Sequence, residues 1–244
     1  MNILWSIQSI PKSSKISHAS YKPFYLKRNL FDPLSPAMCV QYLTTVNGEW
    51  VKTHFDLELP ATQARDIFPT YPGPITLKSH NTQRTAIGLA RFGLIPSWAK
   101  EDDFGRKTYN ARAETVSEKP SYKAAWGKRH YALVLADAFY EPNYETGKAI
   151  RTSIRQANTE PMAIASIWDT WTEPDTGELI VSFSMLTINA DEHPVMKRFH
   201  KPEDEKRTVV PLKPELFKDW LNATPETAQE LLNLNSIPEL TIDA

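Results

Sequence analysis

The chain has 244 residues, of which 41% are hydrophobic and 23% charged, with a net charge of −1 and a single cysteine. This is the composition of an ordinary soluble globular protein, with room for one large domain or two small ones. One cysteine excludes an internal disulfide, and the lack of an apolar run of about 18 residues excludes a transmembrane helix. The near-zero charge excludes binding of nucleic acid through overall charge, which leaves only a local groove.

Residues 1–37 differ from the rest of the chain. They are rich in serine, are interrupted by four prolines and carry a net charge of +4, so the remainder carries −5. They could be a disordered arm, a targeting segment, or upstream sequence outside the working protein. A secretory signal is disfavoured because no apolar core segment follows a basic start. We therefore predict a non-globular extension over 1–37 and one globular domain over 38–235.

From Met38 onward the pattern predicts strands and short helices, in this order. CVQYLTTV is a first strand, 56–80 is irregular with a turn at YPGP, and AIGLARFGLI is a buried strand or pair of strands. KTYNARAETV is a strand running into a loop, and KPSYKAAWGK a short helix. Five strands follow: YALVLAD, AFYEPNY, AIRTSIRQ, MAIASIWDTW and IVSFSMLTIN. DEHPVMKRF is a short helix, RTVVPL a strand, and KPELFKDWLN and TPETAQELLNL are amphipathic helices.

Strands that follow one another through hairpin-type turns predict an antiparallel or mixed sheet with helices packed around it. The fold class is therefore α+β. Neither glycine-rich nucleotide-binding motif is present, and the histidines and the cysteine lack the spacing of a metal site. We accordingly predict no cofactor and no metal.

Two stretches place polar side chains on one face of a strand. Asn110, Arg112 and Glu114 alternate in the first stretch, which is also typical of a solvated face. In the second, Glu141 shares a face with Phe139 and Asn143 directly after an apolar run. A carboxylate there is either exposed at the strand end or buried with a raised pKa, as a general acid or base requires.

Three further residues could carry chemistry or contacts. Cys39, directly after Met38, is either a small buried hydrophobic residue or a nucleophile. His200 ends a short helix before a charged loop, where a histidine is commonly structural, but with Cys39 and Glu141 it could complete a Cys/His/Glu constellation. Trp98, in a loop after a proline, is a candidate surface for stacking on bases.

In combination, Met-Cys, RFGLIPSWAK, YNARAETV, FYEPNYE, TINAD and RFHKPEDEKR resemble the SOS response-associated peptidase (SRAP) family, from Cys39 to about Leu221. The resemblance implies a compact domain around a barrel-like, mostly antiparallel sheet. It also implies processing of abasic sites in single-stranded DNA, to which an N-terminal cysteine becomes covalently joined. The partner would be single-stranded DNA containing abasic sites, and the protein a cytoplasmic, nucleoid-associated monomer.

Carried over position by position, the resemblance makes Cys39 the covalent residue, Asn110 its positioner, Glu141 the acid/base and His200 a second catalytic group. Residues implied to hold the DNA strand are Arg112, Trp98, Thr187 and Arg207. The chain departs from the family at Val40 and Gln41, which replace a usual Gly-Arg pair. The KPEDE insertion makes Arg207 the least direct match.

An N-terminal cysteine suits this chemistry because its amine can form an imine with an aldehyde and its thiol can then close a thiazolidine ring. The α-amino pKa of about 8 leaves about a tenth of the amine neutral near pH 7, far more than for a lysine with its pKa of about 10.4. Met38 would then be the true start, or Cys39 would be released by cleavage, which the domain could perform itself. Two alternatives remain: a cysteine-dependent peptidase using Cys39, His200 and Glu141, and a binding module without catalysis.

Overall fold

The computed structural model describes residues 40–62, 64–79 and 82–243. The predicted extension over 1–37 and Cys39 lie outside these ranges. Twelve β-strands lie in the described part of the chain: β1 Tyr42–Thr44, β2 Asp66–Ile67, β3 Pro72–Lys78, β4 Thr85–Phe92, β5 Asn110–Arg112, β6 Tyr131–Asn143, β7 Ile150–Gln156, β8 Met162–Thr172, β9 Leu179–Asn189, β10 Arg207–Val209, β11 Pro211–Leu212 and β12 Leu240–Ile242.

Short helices connect and cover these strands. The α-helices of the described residues are α1 Gly48–Phe55, α2 Lys123–Gly127, α3 Phe217–Asn222 and α4 Pro225–Leu231. Four 3-10 turns add to them, at Asp102–Lys107, Met196–Arg198, Pro214–Leu216 and Leu234–Ser236. The predicted helix over DEHPVMKRF is thus only the turn Met196–Arg198, and KPELFKDWLN divides into a 3-10 turn followed by α3.

Five strands close into a barrel, in the order β3–β4–β9–β8–β6 and back to β3. Four of the five pairings are antiparallel, and only β4 with β9 is parallel. The remaining strands extend this barrel, with β1 and β7 on β6, β5 and β10 on β9, and β11 on β8. The predicted α+β class with a barrel-like, mostly antiparallel sheet is confirmed.

The barrel interior is filled by aromatic and aliphatic side chains. Phe92 stacks on Phe183 at a ring-centroid distance of 5.2 Å, and Tyr42 meets the edge of Phe92 at 5.5 Å. On the outside, α3 covers β6 through Trp220, whose indole N–H donates to the carbonyl of Ala132 at 2.9 Å. This bond satisfies a polar atom that burial would otherwise leave without a partner.

Three predictions about strands are wrong. RTVVPL is not one strand but two, β10 and β11, which pair with β9 and β8 respectively. YALVLAD and AFYEPNY form the single strand β6, because the apolar run continues into the alternating run without a turn residue. The YPGP segment is not a turn but part of β3. Pro72 and Pro74 are tolerated there because β3 pairs with β6 only from Ile75 to Leu77, so neither proline interrupts that ladder.

Candidate functional site

The site is built at the end of β6, where alternation turns Glu141 into the protein. Glu141 is 2% exposed, so of the two environments predicted for this carboxylate the structure has the buried one. His200 follows the turn Met196–Arg198 and is itself buried. Its N–H donates to the carbonyl of Pro142 at 3.2 Å, and Phe199 forms a β-bridge with Asn143. These contacts fix His200 to the end of β6, with Nε2 3.3 Å from Glu141 Oε2.

His200 has a left-handed backbone conformation, with φ of 62°. A residue other than glycine reaches this region only when its surroundings hold it there, and histidine is among the residues found in it more often. Here the hydrogen bond to Pro142 and the bridge between its neighbour Phe199 and Asn143 supply that constraint. The conformation is what directs the imidazole toward Glu141 and not into solvent.

The hydrogen bonds of His200 indicate how its ring is oriented. Nδ1 accepts a long hydrogen bond of 3.5 Å from the backbone N–H of Arg207. In a neutral imidazole that accepts at Nδ1, the hydrogen is on Nε2, the nitrogen facing Glu141.

Arg207 lies beneath this pair and joins it to β9. Its side chain is 2% exposed, and it donates to Glu114 through Nη1 at 3.2 Å and Nη2 at 2.8 Å. Nη2 also donates to the carbonyl of Thr187 at 2.8 Å. Thr187 is 1% exposed, and its hydroxyl accepts from Arg207 Nε at 3.4 Å. Both side chains are below the surface, so their predicted contact with DNA stays a prediction, and a positioning role fits their burial.

Arg112 and Asn110 come from β5, which pairs with β9 in parallel and sets Arg112 beside Thr187. Arg112 is half-exposed, and its Nη1 lies 2.8 Å from Glu205 Oε2. The backbone carbonyl of Asn110 accepts from the hydroxyl of Tyr122 at 2.9 Å. Burial raises the pKa of Tyr122 to about 12, so this hydroxyl stays protonated and the bond to β5 persists at neutral pH.

Glu205 is a residue of this charged cluster that the sequence did not single out. It lies in the charged loop between His200 and β10, and its Oε1 accepts from Arg207 Nη1 at 2.7 Å while Oε2 contacts Arg112. Partial burial opposes its ionisation, but the hydrogen bond from Arg207 and the charge of Arg112 hold the pKa of this carboxyl below its usual value. The run of charges in KPEDEK was visible in the sequence, but nothing there indicated which of them would reach an arginine.

The start of the described chain runs beside Glu141. The Tyr140 N–H donates to the carbonyl of Gln41 at 3.1 Å, and this antiparallel register, continued by one residue, sets Val40 opposite Glu141. Gln41 is buried, and its amide donates to Asp66 at 2.6 Å and accepts from Arg151 Nε at 2.7 Å. Cys39, one peptide bond before Val40, is outside the described residues, so its predicted role stays a prediction.

Trp98 lies apart from these residues, in the loop between β4 and β5. Its side chain is 55% exposed, its indole N–H donates to the carbonyl of Pro120 at 3.3 Å, and its ring meets the edge of Phe104 at 5.1 Å. An indole that is fixed on one side and open on the other can accept a stacked base. This placement is compatible with the predicted role.

Neither a metal-binding cluster nor a membrane-spanning helix is found in the described part of the chain. Among residues 40–62, 64–79 and 82–243, no three His, Cys, Asp or Glu side chains are grouped closely enough to bind a metal ion. Within the same ranges, every helix is too short or too polar to cross a membrane.

The sequence of this chain is similar to that of a known protein family and to several of its members. The model of the family described as SOS response associated peptidase (SRAP) matches residues 38–243. The abasic site processing protein YoqW of Bacillus subtilis is 33% identical over 150 residues, which span 60% of this chain and 63% of YoqW. The abasic site processing protein HMCES of Xenopus tropicalis is 29% identical over 150 residues, which span 51% of this chain and 45% of HMCES. The matched stretch is thus less than two thirds of either relative.

Solved structures show the same architecture. A protein from Bordetella bronchiseptica superposes with a TM-score of 0.75 and 30% identity, covering 84% of this chain and 99% of its own. A protein from Bacteroides thetaiotaomicron superposes with a TM-score of 0.66 over 84% of this chain and 90% of its own, at 20% identity. The second likeness concerns the fold alone.

Proposed function

The chain belongs to the SOS response associated peptidase (SRAP) family, and from that premise we propose that it processes abasic sites in single-stranded DNA by covalent attachment through Cys39. The observation that carries this proposal is the buried contact of His200 Nε2 with Glu141 Oε2 at 3.3 Å, directly across from Val40. Its relatives YoqW and HMCES are described as abasic site processing proteins. The working form would begin at Cys39, with a free amine beside its thiol.

The reaction joins the open-chain aldehyde of the abasic sugar to Cys39 with loss of one water. The amine nitrogen adds to the aldehyde carbon, and Glu141, when protonated, donates a proton to the departing hydroxyl as the imine forms. The thiol sulfur then adds to the imine carbon, and its proton passes to the ring nitrogen through Glu141, which His200 Nε2 faces at 3.3 Å.

The surrounding residues would place the strand. Arg112 offers a half-exposed guanidinium for a backbone phosphate, and Trp98 an open face for a base. Asn110, two residues before Arg112 on β5, would hold the amine or the thiol through its amide. Thr187 would act by positioning. Arg207 fixes β9 and His200 from below, and its Nη1, which bonds Glu205, would be the atom to meet a phosphate. A monomeric state and a location at the nucleoid stay predictions.

The cysteine-dependent peptidase is less compatible with this geometry. A Cys/His/Glu triad needs one imidazole nitrogen for the carboxylate and the other for the thiol. In this structure Nε2 faces Glu141 and Nδ1 accepts from the Arg207 N–H, so both nitrogens of His200 are engaged within the protein. We therefore do not propose peptide hydrolysis as the activity of this site.

The test is formation of a covalent adduct with a single-stranded oligonucleotide whose one uracil has been excised. Protein expressed from Met38, with the N-terminus checked by intact mass, should give an adduct that survives a denaturing gel without reduction. Cys39→Ser keeps the amine, so its adduct should require borohydride trapping of the imine. Protein with residues 1–38 still attached should give none. A stable adduct formed by Cys39→Ala would refute the proposed chemistry.

A further inference from the structure

Four charged side chains between β5 and β10 form one network of three ion pairs. Arg207 contacts Glu114 at 2.8 Å and Glu205 at 2.7 Å, and Arg112 contacts Glu205 at 2.8 Å. Two arginines and two glutamates give the network a net charge of zero. It is therefore electrically neutral at the place where the family resemblance puts contacts to an anionic DNA strand.

The two glutamates are not equivalent. Glu114 directs both oxygens at one guanidinium, that of Arg207, in the bidentate arrangement of a stable counterion. Glu205 divides its oxygens, with Oε1 on Arg207 and Oε2 on Arg112. A phosphate that binds between two arginines likewise contacts one guanidinium group with each of two oxygens. Glu205 thus stands where a phosphate would be held.

We propose that Glu205 occupies a phosphate position formed by Arg112 and Arg207, and that a backbone phosphate of single-stranded DNA displaces it. This inference rests on the proposed function. Glu205 lies in the loop between His200 and β10 with its side chain 38% exposed, so it can turn into solvent without unfolding the barrel. Its departure leaves the network at +1, uncovers Nη1 of the otherwise buried Arg207, and allows the phosphate to restore neutrality.

We expect Glu205 to weaken the binding of single-stranded DNA that is not covalently attached to the protein. Every DNA strand that binds here must first break the two ion pairs of Glu205. The free-energy cost is small because these groups are partly exposed, but it applies to each binding event. Glu205 is in this sense a specificity-determining residue, because it lowers affinity for intact single strands more than it affects a strand that is fixed at its abasic site.

The test compares glutamates of the same loop in the full chain. The probe is a fluorescent oligothymidylate without abasic sites, and its Kd is measured by anisotropy at low salt. Glu205→Gln should lower Kd about 5-fold, the range expected for a partly exposed pair. Glu203→Gln removes the same charge from an exposed neighbour and should change Kd less than about 2-fold. Glu205→Asp keeps the charge but cannot span both arginines, and should lower Kd about 3-fold.

A double-mutant cycle with Arg112→Gln identifies the site of the effect. In the Arg112→Gln background, the gain in DNA affinity from Glu205→Gln should fall to the gain from Glu203→Gln. Thermal unfolding checks that each variant is folded. The proposal would be overturned by any of three results: equal gains in affinity from the changes at 203 and 205, no gain in affinity from the change at 205, or no DNA binding by any variant. Loss of the abasic-site adduct in the unaltered protein would instead overturn the proposed function, since that adduct is measured separately.

Discussion

A histidine–carboxylate pair lies near each end of strand β6. At the end of β6, His200 Nε2 lies 3.3 Å from Glu141. At its beginning, His130 Nδ1 lies 3.7 Å from Asp169, and the His130 ring stacks on Trp168 at 4.4 Å. Both pairs arise because strand alternation turns a carboxylate inward against a histidine from a flanking segment. Residue type and burial therefore do not by themselves mark the functional pair.

The neighbours of the two pairs make the difference. His130 is followed directly by β6 and is covered by an aromatic face, and burial raises the pKa of Asp169. His200 is held in a left-handed conformation, is hydrogen-bonded to the segment that carries Arg207, and faces the strand that leads back to Cys39. Under the proposed function, a pair that is constrained, close to arginines and beside the strand that follows Cys39 can do chemistry that a packed pair does not.

The largest expected effect separates the two carboxylates. Glu141→Gln should slow adduct formation by about 10²–10⁴-fold, because it removes the acid and base while keeping the shape of the side chain. Asp169→Asn is the matched control and should change the rate less than about 2-fold. Single-turnover kinetics with the excised oligonucleotide measure both rates. Equal losses in the two variants would show that the pairs do not differ in function.

A second expected effect concerns the packing that holds β1 beside β6. A Cβ at Gly73 would lie 1.9 Å from the Tyr42 hydroxyl oxygen, whereas a Cβ at Gly88 has nothing within 4 Å. Gly73→Ala should therefore lower the free energy of unfolding by about 1–3 kcal/mol, because Tyr42 is fully buried and has no space to yield. Urea denaturation compares it with Gly88→Ala, which should stay within about 0.5 kcal/mol of the parent protein. A similar loss at both positions would contradict the packing argument.

A smaller effect tests the backbone of His200. With φ at 62°, this position suits glycine better than alanine, so His200→Gly should be more stable than His200→Ala by about 1 kcal/mol. Both variants lack the imidazole and should form the adduct at similarly reduced rates. Chemical denaturation gives the difference in stability. Alanine equal to or better than glycine would show that the conformation of His200 is not strained.

The smallest effect is a pH dependence of stability that arises at His193. Nδ1 of His193 accepts from the N–H groups of Val195 and Met196 at 3.1 Å, and burial lowers the pKa of His193 from its usual 6.5. Because the folded-state pKa is the lower one, this contribution is complete above pH 6.5 and is lost as the pH falls below it. Between pH 7.5 and 5.5 the parent protein should lose more Tm than His193→Asn, whose amide oxygen accepts without titrating. Equal losses would contradict the assignment.

The sequence by itself determined the local features of this protein. Alternation in AFYEPNY placed Glu141 on one strand face with Phe139 and Asn143, and the run of hairpin-spaced strands predicted the α+β class. The alternation did not decide whether that face is buried. Combined motifs identified the family over nearly all of the described chain. These features depend on side-chain periodicity and short-range spacing, which a sequence displays directly.

Only the tertiary structure decided which distant residues meet. Barrel closure made YPGP part of a strand, brought His200 onto Glu141, buried Arg207 under the site and set Glu205 between two arginines. Each of these outcomes follows from the register of strands far apart in the chain and from the constrained backbone at His200. No local pattern encodes such a register, because it is selected by the combined packing of the whole barrel.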